Sequence, residues 1–432
     1  MNRRKLLGAG VGLISGCAMG SPAPAQNKAA SPSGVGVTKL VKTATGAYQL
    51  VRGGKPYFVN GVGGTQKLAL LKSLGGNSVR TWGVENAQKD LDDAHAHGLT
   101  VTLGIWLGHP QHGFKYDDPK MVREQFEAAQ TAIRRFKNHP ALLAWGIGNE
   151  MEGDGLDPNV WKAVQEIAAM AHKEDPDHPT VCVTAEIGAD AVKAKALQTL
   201  CPDIDIIGVN SYGGLGSLAD RLKAAGITKP YLVTEFGTSG PWEVGKTKWG
   251  AALEPTSAEK ARLYLANYLR SIRNQPACLG SYAFLWGDKM EGTPTWFGML
   301  LPGTGERLAA TDAVSYLWTG NWTPKPAPDI LAWQSTVAET EVKSGTKQSA
   351  VCVARGAGTL DYEFVVRPEK IEESRPEPGQ KPLDAVKSTA SPDGTLVFVA
   401  PTAPGAYRLY VTVRDKANGS AATANTPFLV TA

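Results

Sequence analysis

Residues 141–150 read ALLAWGIGNE, an apolar run from Ala141 to Ile147 that ends in an amide and a carboxylate, Asn149 and Glu150. A continuous apolar run of this length, bounded by Pro140 and Gly148, is what a strand buried on both faces looks like. Burying a carboxylate is costly unless it is paired or hydrogen-bonded, so an acid at the exit of such a strand points to a use for it. Similar runs lie on either side: NSVRTW (77–82), TVTLGIW (100–106), TVCVTAE (180–186), IDIIGVNSY (204–212), YLVTEFG (231–237) and CLGSYAFLW (278–286). Helix-period patterns alternate with them over 67–75, 86–97, 119–137, 158–174, 190–199, 217–225, 256–273 and near 311–318. With a further strand near 57–63, that makes eight strand–helix units in about 260 residues. The prediction is an α/β chain whose parallel strands close into a (β/α)8 TIM barrel rather than an open doubly wound sheet.

The flanks predict further segments. Residues 1–25 have a basic start (Arg3, Arg4, Lys5), a short apolar stretch and small residues after it, the layout of an export signal. ISGC (14–17) resembles a bacterial lipobox, so we read Cys17 as lipidated, with ordinary cleavage before Gln26 as the alternative. The protein is then exported to the periplasm or cell envelope. Residues 26–45 read as a linker, Ala/Ser/Pro/Gly-rich over 26–40, and 46–322 as the barrel. YQLVRGGKPYFVNGVGG (48–64) reads as a hairpin leading into the first barrel strand. After a proline-dense linker at 323–330, residues 331–432 alternate apolar and polar between Pro/Gly/Asp turns, which predicts an immunoglobulin- or fibronectin-like β-sandwich. No aromatic strip marks that module as a sugar binder, so it reads as packing or spacer, with 367–382 as a solvated loop.

Composition excludes several function classes. The formal net charge of +4 falls to +1 without the three basic residues of the signal, which asks for neither nucleic acid nor an anionic membrane; membrane contact is expected only through the N-terminal lipid. Cys182, Cys201, Cys278 and Cys352 form no CxxC and have no histidine at ligand spacing, so no metal site is expected. They read as core residues. GVGG (61–64) lacks dinucleotide spacing, so no cofactor is expected either.

In a barrel of this type the active site forms at the C-terminal strand ends. The exits here carry Arg80 and Trp82, Trp106 and His109, Asn149 and Glu150, Glu186, Asn210 and Tyr212, Glu235, then Trp286 and Asp288. Two carboxylates on strands four and seven, with aromatic surfaces around them, suit glycoside cleavage: one acid protonates the leaving oxygen while a second carboxylate attacks the anomeric carbon. HPALLAWGIGNE (139–150), GVNSY (208–212), KPYLVTEFG (229–237) and LWG (285–287) resemble glycoside hydrolase clan A, the retaining (β/α)8 glycosidases, over roughly residues 46–320. Within the clan, GKPYFVNGVGG, LKSLGGNSVRTWG and the Asn-Ser-Tyr of strand six are similar to family 2 and to the β-1,3-glucanosyltransferase-like families. Many cellulase-type members have His where this chain has Asn210.

The resemblance implies Glu150 as acid/base, Asn149 as the residue that binds the sugar 2-hydroxyl, and Glu235 as nucleophile. Arg80 and Tyr212 would support Glu235, Trp286 would form the platform under the sugar, and Trp82 and Asn210 would line the site. The expected activity is that of a retaining β-glycosidase or transglycosidase acting on a β-linked glucan or related saccharide. The competing class is an inactive carbohydrate-binding or scaffold barrel, against which the intact Glu150/Glu235 pair argues. Glu152, Asp154 and Glu186 suit loop or surface roles equally well.

Overall fold

A computed structural model describes residues 36–369 and 383–432. Cys17, the export signal and residues 26–35 lie outside the described residues, as does 370–382 of the expected loop.

The described chain opens with a three-stranded antiparallel sheet: β1 (Thr38–Lys42), β2 (Tyr48–Arg52) and β3 (Lys55–Tyr57). This corrects the linker expected over 26–45, because residues 38–42 are strand. TKLVK is too short and too charged to announce itself, but all five residues pair in register with β2, from Thr38 opposite Arg52 to Lys42 opposite Tyr48. The sheet closes the N-terminal mouth of the barrel. Leu50 packs with Leu143, Val181, Ile206, Leu232 and Leu279, and Arg52 donates to the carbonyls of Pro140 and Leu142 at 2.5 and 2.6 Å.

The barrel follows: β4 (Val59–Gly63), α1 (Leu68–Ser73), β5 (Ser78–Arg80), α2 (Ala87–Ala96), β6 (Thr100–Ile105), α3 (Pro119–Phe136), β7 (Leu142–Asn149) and α4 (Pro158–Glu174). The second half comprises β8 (Thr180–Thr184), α5 (Val192–Leu200), β9 (Ile206–Asn210), α6 (Leu218–Ala224), β10 (Tyr231–Phe236), α7 (Ser257–Ser271), β11 (Cys278–Ala283) and α8 (Ala309–Thr319). β4 to β11 pair in sequence order, all parallel, and β11 returns to β4 to close the barrel. β5, β6, β8, β9, β10 and β11 are buried at every residue, which is why they read as unbroken apolar runs. Helix starts are marked locally: Asp118 and Asp157 cap α3 and α4, each followed by proline, and Thr256 with Glu259 forms a capping box on α7. Such a cap contributes about 1 kcal/mol.

The last module is a sandwich. Its strands are β12 (Asp329–Ser335), β13 (Glu341–Lys343), β14 (Lys347–Arg355), β15 (Leu360–Pro368), β16 (Lys387–Ser391), β17 (Thr395–Val399), β18 (Gly405–Asp415) and β19 (Ser420–Thr431). One sheet runs β12-β14-β17 and the other β13-β19-β18-β15-β16, with Phe364, Val366, Phe398, Leu409, Val411 and Phe428 filling the space between. The second sheet is mixed, since β13 runs parallel to β19. The proline-dense segment before the sandwich is held in place: Asp312 accepts from the Ala327 amide at 2.6 Å, and Trp322 stacks on Tyr316 at 4.5 Å. All four described cysteines are free and buried.

Candidate active site

The chain leaves β7 through a distorted backbone. A register shift separates Ile147 from Asn149, Gly148 takes φ 72°, and a Cβ there would meet the Met151 sulfur at 2.4 Å. Glu150 itself sits in the left-handed region, at φ 54°. That conformation costs a non-glycine residue roughly 1–2 kcal/mol. The result is that Met151 is fully buried while Asn149 and Glu150 stay half-buried at the strand end.

Glu235 ends β10 and is 5% exposed. Its Oε1 accepts from Arg80 and from the Trp82 indole, both at 2.8 Å, and its Oε2 accepts from the Tyr212 hydroxyl at 2.7 Å. Three donors on one carboxyl match the ionised, acceptor-only form. Burial and the neighbouring Glu235 push the Tyr212 phenol well above its ordinary range, so it remains a donor. Arg80, 2% exposed, also donates to the Thr234 carbonyl at 3.0 Å and to Asn149 Oδ1 at 2.6 Å.

Asn149 Oδ1 accepts a second bond, from Asn210 Nδ2 at 3.1 Å, and the same Asn210 nitrogen donates to Glu150 Oε1 at 2.8 Å. Asn210 is fixed from behind by Thr234, whose hydroxyl donates to its Oδ1 at 2.8 Å. The two carboxylates are thus tied by one chain of side chains, Glu235 to Arg80 to Asn149 to Asn210 to Glu150. With its oxygen occupied twice, Asn149 is left with its NH2 group to offer a ligand.

The structure therefore brings together Glu150, Glu235, Arg80, Trp82, Asn149, Asn210 and Tyr212. Trp286 is different. It is 1% exposed, belongs to the main core and donates from its indole nitrogen to the Gln66 carbonyl at 2.5 Å, so it presents no open face to a sugar. This corrects the platform role, because the eighth strand's exit is overlaid by the 64–66 segment. Open indole surface belongs instead to Trp106, 46% exposed and stacked on His109 at 4.7 Å, and to Trp242, 52% exposed and edge-on to Tyr212 at 5.9 Å. Trp242 went unnoticed in the sequence. Its signal was the length of the loop after β10, residues 237–256, which carries Trp242 and Trp249.

Glu186 binds Arg221 at 2.7 Å and takes the Ser211 hydroxyl, and Glu152 is buried against Lys193 at 2.7 Å while accepting from the Ala185 amide at 3.0 Å. Both hold loops. Among the described residues, no group of three or more His, Cys, Asp or Glu is arranged to hold a metal ion.

Residues 64–275 match the family model described as the TIM barrel domain of glycosyl hydrolases family 2. The chain is similar to a β-glucuronidase of Bacteroides fragilis, 28% identical over 127 residues, covering 28% of this chain and 18% of that protein. It also resembles a β-galactosidase of Arthrobacter sp., 25% identical over 183 residues, with 40% of this chain and 17% of that protein covered. For the β-glucuronidase of Homo sapiens the figures are 23% over 198 residues, 41% and 28%. The matches span less than a third of these relatives' length. Two solved structures share the fold, each with a TM-score of 0.53: the β-D-glucuronidase of Dictyoglomus thermophilum and an FMN-binding β-glucuronidase from Facaelibacterium prausnitzii L2-6. The first is 17% identical and covers 66% of this chain and 54% of that one; the second is 14% identical and covers 92% and 59%. Over residues 64–275 the barrel of this chain thus matches the TIM barrel domain of family 2 glycoside hydrolases, in line with its resemblance to clan A.

Proposed function

We propose that this chain is a retaining β-glycosidase that works through a covalent glycosyl-enzyme on Glu235, with Glu150 as acid and then base. The observation that carries this reading is the unequal treatment of the two acids. Glu235 receives three donors that steady a carboxylate, whereas Glu150 stands half-buried at the strand end on a backbone bent to present it. In the first step Glu235 attacks the anomeric carbon while Glu150 gives a proton to the departing oxygen. Glu150 then takes a proton from water, giving hydrolysis, or from a sugar hydroxyl, giving transglycosylation, and the sugar leaves Glu235 with its configuration retained.

For the substrate we favour a neutral β-linked glucan or related saccharide. The relatives' names also raise β-glucuronides, but a uronate needs a cation. Arg80 is bonded to Glu235, Lys193 to Glu152, Arg221 to Glu186 and Lys289 to Glu291, so a uronate would have to reach Lys67, Lys115, Lys246 or Lys248 in the loops after β4, β6 and β10. A panel of aryl β-glycosides and β-linked oligosaccharides, read by NMR for anomeric configuration, tests this. Retention with glucosides or oligoglucosides is expected; inversion would overturn the mechanism, and turnover confined to glucuronides would overturn the substrate. We also propose export with lipidation of Cys17. Cys17→Ser is expected to release the protein from the membrane fraction, and an unchanged distribution would contradict it.

A further inference from the structure

The C-terminal sandwich is not merely appended to the barrel. Glu254 lies at the end of the loop that leaves the Glu235 strand, and its side chain is 1% exposed. Four donors from three parts of the chain surround it. Oε1 accepts from Lys260 of α7 at 2.5 Å and from the Thr295 hydroxyl at 2.9 Å. Oε2 accepts from the Thr293 hydroxyl and from Asn425 of β19, both at 2.5 Å. Thr293 and Thr295 belong to the loop between β11 and α8. One carboxylate thus joins the loop after β10, the loop after β11 and the sandwich.

The sandwich side of this junction is buried and hydrogen-bonded across to the barrel. Arg408 of β18, 1% exposed, donates to Asn425 Oδ1 at 2.7 Å, to the Ala252 carbonyl at 2.8 Å and to Glu369. The Thr423 amide donates to Ser257 at the start of α7 at 3.0 Å. Burial by itself would raise the Glu254 carboxyl, but Lys260 and Arg408 outweigh it and hold the group below its usual range. Glu254 is therefore charged at neutral pH and bonded at both oxygens.

From Thr295 the path to the reacting carboxylate is short. Trp296 donates from its indole to the Ser239 carbonyl at 2.9 Å, which ties the two loops together again. The Phe297 ring lies 5.3 Å from both Tyr212 and Phe284. Tyr212 in turn donates to Glu235. A shift of Thr295 moves the aromatic wall that aims the Tyr212 hydroxyl.

We propose that Glu254 is a positioning residue for the reaction, and that Asn425 and Arg408 of the sandwich set the place of the two loops that hold Tyr212 against Glu235. This rests on the glycosidase reading above. It makes the sandwich part of the catalytic unit rather than a spacer, and predicts that damage at the junction lowers kcat more than it raises KM, because misalignment of the nucleophile is felt in the transition state.

The test uses the full chain with two substitutions on opposite sides of Glu254. Asn425→Ala removes the sandwich donor. Thr295→Val removes a barrel donor with little change of shape, and Thr295→Ser restores the hydroxyl. Asn425→Ala and Thr295→Val are each expected to lower kcat on an aryl β-glycoside about 10-fold or more with KM changed less than about 3-fold, and Thr295→Ser to recover most of the loss. Hydrogen exchange, read without substrate, is expected to quicken in Asn425→Ala in both 237–256 and 284–308. Unchanged kcat in folded Asn425→Ala and Thr295→Val, or exchange quickened in neither loop, overturns the positioning role. A wild-type chain that turns over no glycoside overturns the glycosidase reading instead, and the exchange measurement still decides whether the junction clamps both loops.

Discussion

The two ends of the barrel both bury charge, and they do it for different ends. At the N-terminal end, Asp175 accepts from the Trp145 indole and from His178, each at 2.8 Å, and His178 reaches the Gly36 carbonyl at 3.0 Å. Arg52 spends its guanidinium on four oxygens, among them those of Gly36 and Thr38. Everything there is directed inward, and it fastens the entering sheet to the barrel. At the C-terminal end the bonds run sideways, from one strand exit to the next, and leave Glu150 and the Asn149 amide half-buried at the opening. The contrast teaches that buried polarity stabilises where it is closed on itself and serves chemistry where it is gathered at an opening.

That contrast can be broken by substitution. The largest effect is expected from Glu235→Ala, which should lower kcat by about 10⁴-fold or more per folded molecule. A steep loss of stability with activity retained per folded molecule would place Glu235 with the structural charges instead. Glu150→Ala should be selective: with an activated aryl glycoside, whose leaving group needs no proton, the glycosyl-enzyme still forms and accumulates, and azide restores turnover to give a β-glycosyl azide. An α-azide would reverse the assignment.

The opposite end should respond the other way. Asp175→Ala strips acceptors from Trp145 and His178 and is expected to cost about 3 kcal/mol of stability, with kcat nearly unchanged below the transition. Burial alone would raise the Asp175 carboxyl, but the bonds from His178 and Trp145 outweigh it and the folded group lies below its ordinary value. A depressed folded value means this stabilisation is present above about pH 4 and lost as pH falls below it. Denaturant titrations of wild type and Asp175→Asn should therefore converge below about pH 4, and a gap independent of pH would contradict the account of a carboxylate held by these hydrogen bonds. The smallest effect is expected at the rim, where Trp242→Ala should raise KM for oligosaccharides several-fold with little change for a small aryl glycoside.

Most of this was legible in the chain because the signals were local. Six of the eight barrel strands are buried at every residue, and α3, α4 and α7 carry side-chain caps, so the order of the strands and their exits could be read directly, and with them the places of Glu150, Glu235, Arg80 and Tyr212. What escaped depended on partners distant in sequence. Residues 38–42 become a strand only because β2 and the barrel mouth accept them. Trp286 looks like an open platform until the Gln66 segment is folded over it. Asn425 has no local mark of its contact with Glu254, which lies 171 residues earlier.

The central claim, that Glu235 is the carboxylate that bonds to sugar, is tested most directly by trapping. A slow 2-deoxy-2-fluoro aryl β-glycoside of whichever sugar the wild type turns over, followed by proteolysis and mass spectrometry, should leave one glycosyl ester, on Glu235 of the peptide around YLVTEFG. An ester on Glu150 or any other residue, or steady turnover with no trapped ester, would contradict the account.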